Sequence, residues 1–171
     1  QLAEGVYAGS GDKTKRLFSA QRQREMWTML TPIPVRPSSV PALAPAVPVF
    51  SGYGQGWQLS DYLGKRLVWH TGGWPGQVSR LTLMPEQKIG VIVLTSAEVG
   101  AAFNAVTYEA LDMMLGQIGH DWLSGYAEAV AKSQGNADER WQKHLAARDA
   151  TSTPSLSLDK YAGTYRDPWY G

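Results

Sequence analysis

Three apolar runs set the first limit on the fold. They are "RLVWHT" (66–71), "VSRLTLM" (78–84) and "IGVIVLT" (89–95). β-Branched and aromatic residues recur in them, as strands prefer. A parallel crossover needs roughly a dozen residues or more, so connectors as short as these leave only antiparallel neighbours. "GGWPG" (72–76) reads as irregular and "PEQK" (85–88) as a turn. "YGQGWQLS" (53–60) adds one more strand, with "DYLGK" as the turn after it. The 89–95 run is apolar on both faces, which predicts cover on both sides of the sheet there.

Helices flank this meander. Ser19 is placed to cap a helix over 19–30, although Arg22 stands where a capping box needs Glu or Gln. A longer helix is expected from about Val99 to Ile118. Its sheet-facing side would be Phe103, Val106, Ala110, Leu111, Met114, Leu115 and Ile118. Two more polar helices are expected over about 120–132 and 137–148. The fold class is therefore α+β, an antiparallel sheet with flanking helices.

"TPIPVRPSSVPALAPAVPVF" (31–50) carries a proline every two to four residues. Proline locks φ and removes a donor, so neither helix nor central strand is expected, only extended, PPII-like chain. It is either a linker between domains or an ordered strap over one domain. Apolar anchors at Ile33, Val35, Leu43, Val47, Val49 and Phe50 favour the strap. The division expected is one domain over 1–149, a linker over 150–158 and the start of something else over 159–171. "KYAGTYRD" (160–167) would be its first strand, or else a single edge strand.

Composition excludes several classes of function. Lys plus Arg number 16 against 15 Asp plus Glu, a net charge of +1. No strong field steers the chain to nucleic acid or an anionic membrane. Cysteine is absent, so disulfides, thiolate metal sites and a cysteine nucleophile are out. His70, His120 and His144 lie too far apart in sequence to form a local metal pair, and no metal or other cofactor is expected. No apolar run approaches the roughly 18 residues of a membrane helix. The chain starts at Gln1 without a signal-peptide pattern and stops at "YRDPWYG". Both ends look cut, so it reads as a fragment of a longer protein.

A family resemblance rests on motifs in fixed order. They are Gly52-Tyr53-Gly54-x-Gly56-Trp57, Tyr62-x-Gly64, His70-x-Gly72-Gly73, Pro75-Gly76 and Pro85-Glu86-Gln87-Lys88, then an apolar strand and the helix from Val99. This set resembles the C-terminal sheet of the serine β-lactamase-like hydrolases, which include class C β-lactamases, penicillin-binding proteins, D-aminopeptidases and related esterases. The likeness covers roughly residues 1 to 118. It implies the C-terminal part of a β-lactamase/transpeptidase-like fold, a periplasmic or secreted location with the cytoplasm left open, and acyl-enzyme chemistry on an ester, a D-peptide amide or a β-lactam. Tyr161-x-Gly163-x-Tyr165 resembles the opening of a small β-domain appended to some members, which implies such a domain from 159 to 171.

The family's Lys-Thr-Gly strand, or a variant such as His-x-Gly, corresponds to His70-Thr71-Gly72. The resemblance implies that His70 and Gly73 are catalytic, Gly73 giving its N–H to an oxyanion hole. Thr71, Gly72 and Trp74 would meet the substrate. One oxyanion donor is worth about 3–4 kcal/mol of transition-state stabilisation. Glycine lets an acyl group approach the backbone closely, and a strand edge can hold an extended ligand. Histidine is a softer group than the lysine it replaces, because it titrates near neutrality. That points to an esterase or D-peptidase acting on substrates less dependent on a carboxylate. The plainer reading is that His70 ends a strand and bonds a carbonyl. Trp69 alternates with His70 and should be core. Trp74, in the loop, either lines the cleft or packs on the surface.

The family's nucleophile sits in Ser-x-x-Lys at a buried helix start, where burial lowers the lysine's pKa. Two literal matches exist, Ser10–Lys13 in a glycine-rich loop and Ser157–Lys160 at the end of the linker. Neither context suits the motif, and Tyr-x-Asn does not occur. The expectation is that the nucleophile lies in a missing N-terminal half, so the chain is inert alone. Its partners would be a small-molecule acyl substrate, that N-terminal half and, through exposed strand edges, a second copy. The rival readings are a non-catalytic ligand-binding or sensing module on the same fold, and an unrelated α+β domain that mimics the motif.

Overall fold

The computed structural model describes residues 6–8 and 14–170, with side chains from Leu17 onward. The chain divides into two compact units, residues 1–133 and 134–171. The first is built on a six-stranded sheet whose spatial order is its chain order. The strands are β3 (Thr31–Pro32), β4 (Ser51–Tyr53), β5 (Gln58–Tyr62), β6 (Lys65–Trp74), β7 (Gln77–Met84) and β8 (Ile89–Thr95). Every neighbouring pair is antiparallel, as the short connectors require. Two further strands, β1 (Val6–Ala8) and β2 (Thr14–Arg16), pair with each other.

Strand extents differ from the sequence reading. The run 53–60 is two strands, not one: the chain reverses between Tyr53 and Gln58, and Gly56 takes φ +76° in the turn. Residues 72–74 are not irregular. Gly72, Gly73 and Trp74 pair with Ser79, Val78 and Gln77 as the end of β6. Only Pro75-Gly76 turns, with proline fixing one φ and Gly76 taking +84°, the pattern of a type II turn.

Three α-helices stand beside these strands among the described residues. α1 (Ala20–Met26) has the expected cap, Ser19 Oγ accepting the Arg22 N–H at 3.2 Å. It stops before residue 30 because Leu30 leaves to donate its N–H to the Tyr53 carbonyl at 2.9 Å. α2 spans Gly100–Leu115. α3 (Trp122–Ala146) is one helix where two were expected. Gly135 in the expected gap costs about 1 kcal/mol of helix propensity, too little to break it.

α2 lies on one sheet face, over Leu67, Met84, Ile89 and Val91. Its buried side is rotated from the expected one. Phe103, Ala105, Thr107, Tyr108, Leu111 and Asp112 point in, while Val106, Met114 and Ile118 are exposed. Polar residues can take the inner side because each finds a partner. Thr107 Oγ1 donates to the Phe103 carbonyl at 2.7 Å. Asp112 accepts from Tyr62 Oη, from Trp122 Nε1 at 2.7 Å and from His120 Nδ1 at 2.8 Å. This carboxylate ties the sheet, α2 and the start of α3 together. Burial first, and then Asp112, pushes the Tyr62 phenol far above its ordinary range.

The proline-rich segment is a strap. It forms a 3-10 helix over Pro41–Ala46, which the sequence reading excluded; Pro41 is tolerated because the first turn needs no N–H. Val40 and Leu43 are buried with Tyr62, Leu111 and Trp122. Asp61 accepts the Val49 and Phe50 N–H groups at 2.7 and 3.1 Å, fastening the strap to β5. Of the expected anchors Leu43 is buried and Val47 half-buried, but Ile33, Val35, Val49 and Phe50 are exposed. Val40 is the anchor the sequence reading missed.

The second sheet face packs Leu59, Val68 and Leu83 against Trp27, Met29, Trp57 and Leu81. That cover does not reach β8. Ile92 and Leu94 are 56% and 77% exposed, so the expected cover on both sides fails among the described residues. In the second unit all described residues are exposed. Residues 160–167 form no strand: Leu158–Tyr161 is a 3-10 turn, and Tyr165 Oη donates back to the Tyr161 carbonyl. Local turns take up the hydrogen bonds that a lone strand cannot satisfy. No helix of the described residues is long and apolar enough to cross a membrane.

Candidate active-site strand

β6 outruns one of its partners. Its pairing with β5 ends at Trp69, opposite Gln58, whereas its pairing with β7 continues to Trp74. Among the described residues, 70–74 therefore have a strand on one side only. Trp74 and Gln77 close a two-residue turn, so they are a hydrogen-bonded pair. Antiparallel alternation then aims the N–H groups of Trp74 and Gly72 at β7, and those of Gly73 and Thr71 at the open edge.

Side chains alternate across the same stretch. His70, Gly72 and Trp74 share one face; Trp69 and Thr71 share the other, as expected for Trp69 and His70. His70 is exposed, and its Nε2 lies 3.0 Å from Tyr53 Oη. The two rings meet edge to face with centroids 6.0 Å apart. Gly72 opposes Ser79, whose Oγ would be 2.8 Å from a Cβ there. Gly73 is roomier: the nearest atom to an added Cβ is Val78 Cγ1 at 4.0 Å. A cleft of about 290 Å³ opens beside the hairpin, lined by Gly72, Gly73, Trp74, Gln77 and Leu94 among others.

The cleft thus gathers three of the five predicted site residues, Gly72, Gly73 and Trp74; His70 and Thr71 are outside its lining. Trp74 is 76% exposed and stands on the strand, not in a loop. A buried arginine backs β6. Arg80, opposite Thr71 on β7, is buried and stacks its guanidinium 4.2 Å over the Trp69 ring. It donates to Thr82 Oγ1 at 2.9 Å and to Asn104 Oδ1. Burial lowers its pKa, and the aromatic neighbours offset part of that.

Neither Ser-x-x-Lys match supplies a nucleophile here. Ser10 and Lys13 lie outside the described residues. Ser157 and Lys160 are exposed on a 3-10 turn, where nothing desolvates the lysine. His120 serves Asp112, and His144 stacks on Trp141 at 5.5 Å. The described residues hold no group of three or more His, Asp or Glu suited to a metal. Sequence reasoning missed Tyr53 as the partner of His70. The available signal was its place between Gly52 and Gly54, where a Cβ would run into Met29 and into the Met26 carbonyl respectively.

An open strand edge with two outward N–H groups can bind a carbonyl oxygen or an extended chain. A family model described as Beta-lactamase matches residues 8–112. Unguisins hydrolase ungD' of Aspergillus campestris (strain IBT 28561) is 26% identical over 153 residues, covering 85% of this chain and 27% of that protein. The chain therefore spans about a quarter of the length of this curated relative. No solved structure matches it. With the motifs, the antiparallel sheet and a family match over more than half of its length, the chain belongs to the beta-lactamase family, a family of hydrolases.

Proposed function

We propose that β6 is one wall of the acyl-transfer site of a serine hydrolase. The open edge of residues 70–74 carries this reading, because β5 stops one residue short of it. Gly73 N–H stabilises the oxyanion as a serine oxygen adds to the substrate's carbonyl carbon. The carbon–oxygen or carbon–nitrogen bond then breaks, the leaving group takes a proton, and water later releases the acid from the ester on the serine. Thr71 offers its backbone to an extended substrate, and Gly72 and Trp74 border an apolar side chain held against Leu94. His70 replaces the family's lysine with an imidazole, which favours esters or amides lacking a carboxylate at that point. The relative named as a hydrolase supports bond cleavage by water. Sequence outside these 171 residues supplies the nucleophile, and the exposed Ile92–Leu94 face of β8 is where this chain alone pairs with a second copy.

Two measurements test this. The 171-residue chain should not turn over p-nitrophenyl acetate; turnover abolished by Ser10→Ala would overturn the external nucleophile. In a 15N-labelled sample, N-acetyl-phenylalanine methyl ester should shift the Thr71 and Gly73 amide resonances more than others in β6. Unmoved amides would overturn the wall.

A further inference from the structure

We propose that Tyr53 is the positioning residue for His70, its phenol donating to Nε2 and leaving Nδ1–H as the ring's one free donor. This rests on the reading of β6 as the substrate wall. The observation is the 3.0 Å separation of Tyr53 Oη and His70 Nε2, the sole hydrogen bond of the His70 ring among the described residues.

The direction of the bond follows from the chemistry of the two groups. A phenol oxygen shares its lone pairs with its ring, so it donates well and accepts poorly. The bare nitrogen of a neutral imidazole is a strong acceptor, and which nitrogen is bare is set by the bond the other groups impose. The pairing that uses both strengths is Oη–H to Nε2. It places the ring's proton on Nδ1.

The asymmetry of support makes tyrosine the positioner and histidine the positioned. Tyr53 is half-buried, and its carbonyl accepts the Leu30 N–H at 2.9 Å. Gly52 and Gly54 on either side press against Met29 and against the carbonyls of Met26 and Thr28, so the backbone at 53 has little room to shift. His70 is exposed, with no other hydrogen bond to set its ring. Without Tyr53 the imidazole would sample both tautomers and several rotamers. With it, an N–H donor of fixed orientation stands in the place of the family's lysine.

Nitrogen-15 spectra of the histidine rings test this in the 171-residue chain. In the native chain, at a pH where the ring is neutral, His70 should show a protonated Nδ1 and a bare Nε2. Tyr53→Phe keeps the aromatic ring and removes the donor. It should shift the tautomer ratio about fivefold toward Nε2–H, the population change that one net hydrogen bond sustains. Replacing tyrosine by 3-fluorotyrosine, a stronger donor, should move the ratio the other way without altering the packing much. An Nε2–H tautomer in the native chain, or a ratio that neither change moves, would overturn the proposal. The ester titration above separates this from the parent reading. If the tautomer responds to Tyr53 but the Thr71 and Gly73 amides ignore the ester, the wall is wrong and His70 is merely an oriented surface ring. If the amides respond and the tautomer does not, the wall stands and Tyr53 is no positioner.

Discussion

Asp112 takes three hydrogen bonds in a place that is only 5% exposed. Asp112→Ala would leave the Tyr62 hydroxyl and the Trp122 indole without an acceptor. Each orphaned donor costs about 1–3 kcal/mol, so urea unfolding should show a loss of about 3 kcal/mol or more. Nearby tyrosines set an alkaline limit. Burial is the largest cause raising the phenols of Tyr62, Tyr108 and Tyr126. Unfolded tyrosines lose their protons near pH 10 while the folded ones keep theirs, so the unfolded state binds fewer protons and stability falls as pH rises. Above about pH 10 the slope should approach 1.4 kcal/mol per pH unit for each such tyrosine. Tyr62→Phe should flatten it, as read by denaturation at a series of pH values. Little of this network was legible in sequence. Tyr62 stands 50 residues from Asp112, and no local pattern marks an aspartate as an interior residue.

At the scale of elements, the strap and α3 lock together. A Cβ at Gly125 would come within 2.8 Å of Leu43 Cδ2 and 3.3 Å of Ala42 Cβ. Leu43→Ala should therefore cost about 2–4 kcal/mol, since the glycine opposite cannot fill the space. Gly125→Val should lift the strap and expose its backbone amides, which hydrogen exchange would report first at Leu43 and Val47. The strap's existence could be read from its prolines, but its contact points could not: Val40 is no more apolar than Val49, and only the fold decides which one turns inward. β7 and β8 were readable because apolar and β-branched residues recur in both and short connectors bound them. The end of β6 was hidden by Gly72 and Gly73, whose weak strand propensity is overridden by pairing with Ser79 and Val78.

For the molecule as a whole, the sheet was legible and its covering was not. Two apolar faces on β8 predicted cover on both sides, yet the described residues cover one. Leu94→Lys should lower any concentration-dependent association seen by sedimentation, with the far-UV spectrum unchanged, because residue 94 is already in solvent. The site was legible as a strand and invisible as a pair. A motif on one strand announces His70, while Tyr53 reaches it from 17 residues away through the arrangement of β4, β5 and β6.

Gly73 has no internal reason to be glycine. Its φ is not in the left-handed region, and an added methyl meets nothing nearer than 4.0 Å. Gly73→Ala should raise the unfolding free energy by about 0.4–1 kcal/mol, by narrowing the unfolded ensemble. A breeding campaign that rewarded heat tolerance alone would accept that alanine early, and Trp74 beside it would become an ornament of a sturdier but emptier protein. Persistence of glycine at 73 in such a campaign, when binding of an acyl ester is also required, would measure how much room the incoming molecule needs.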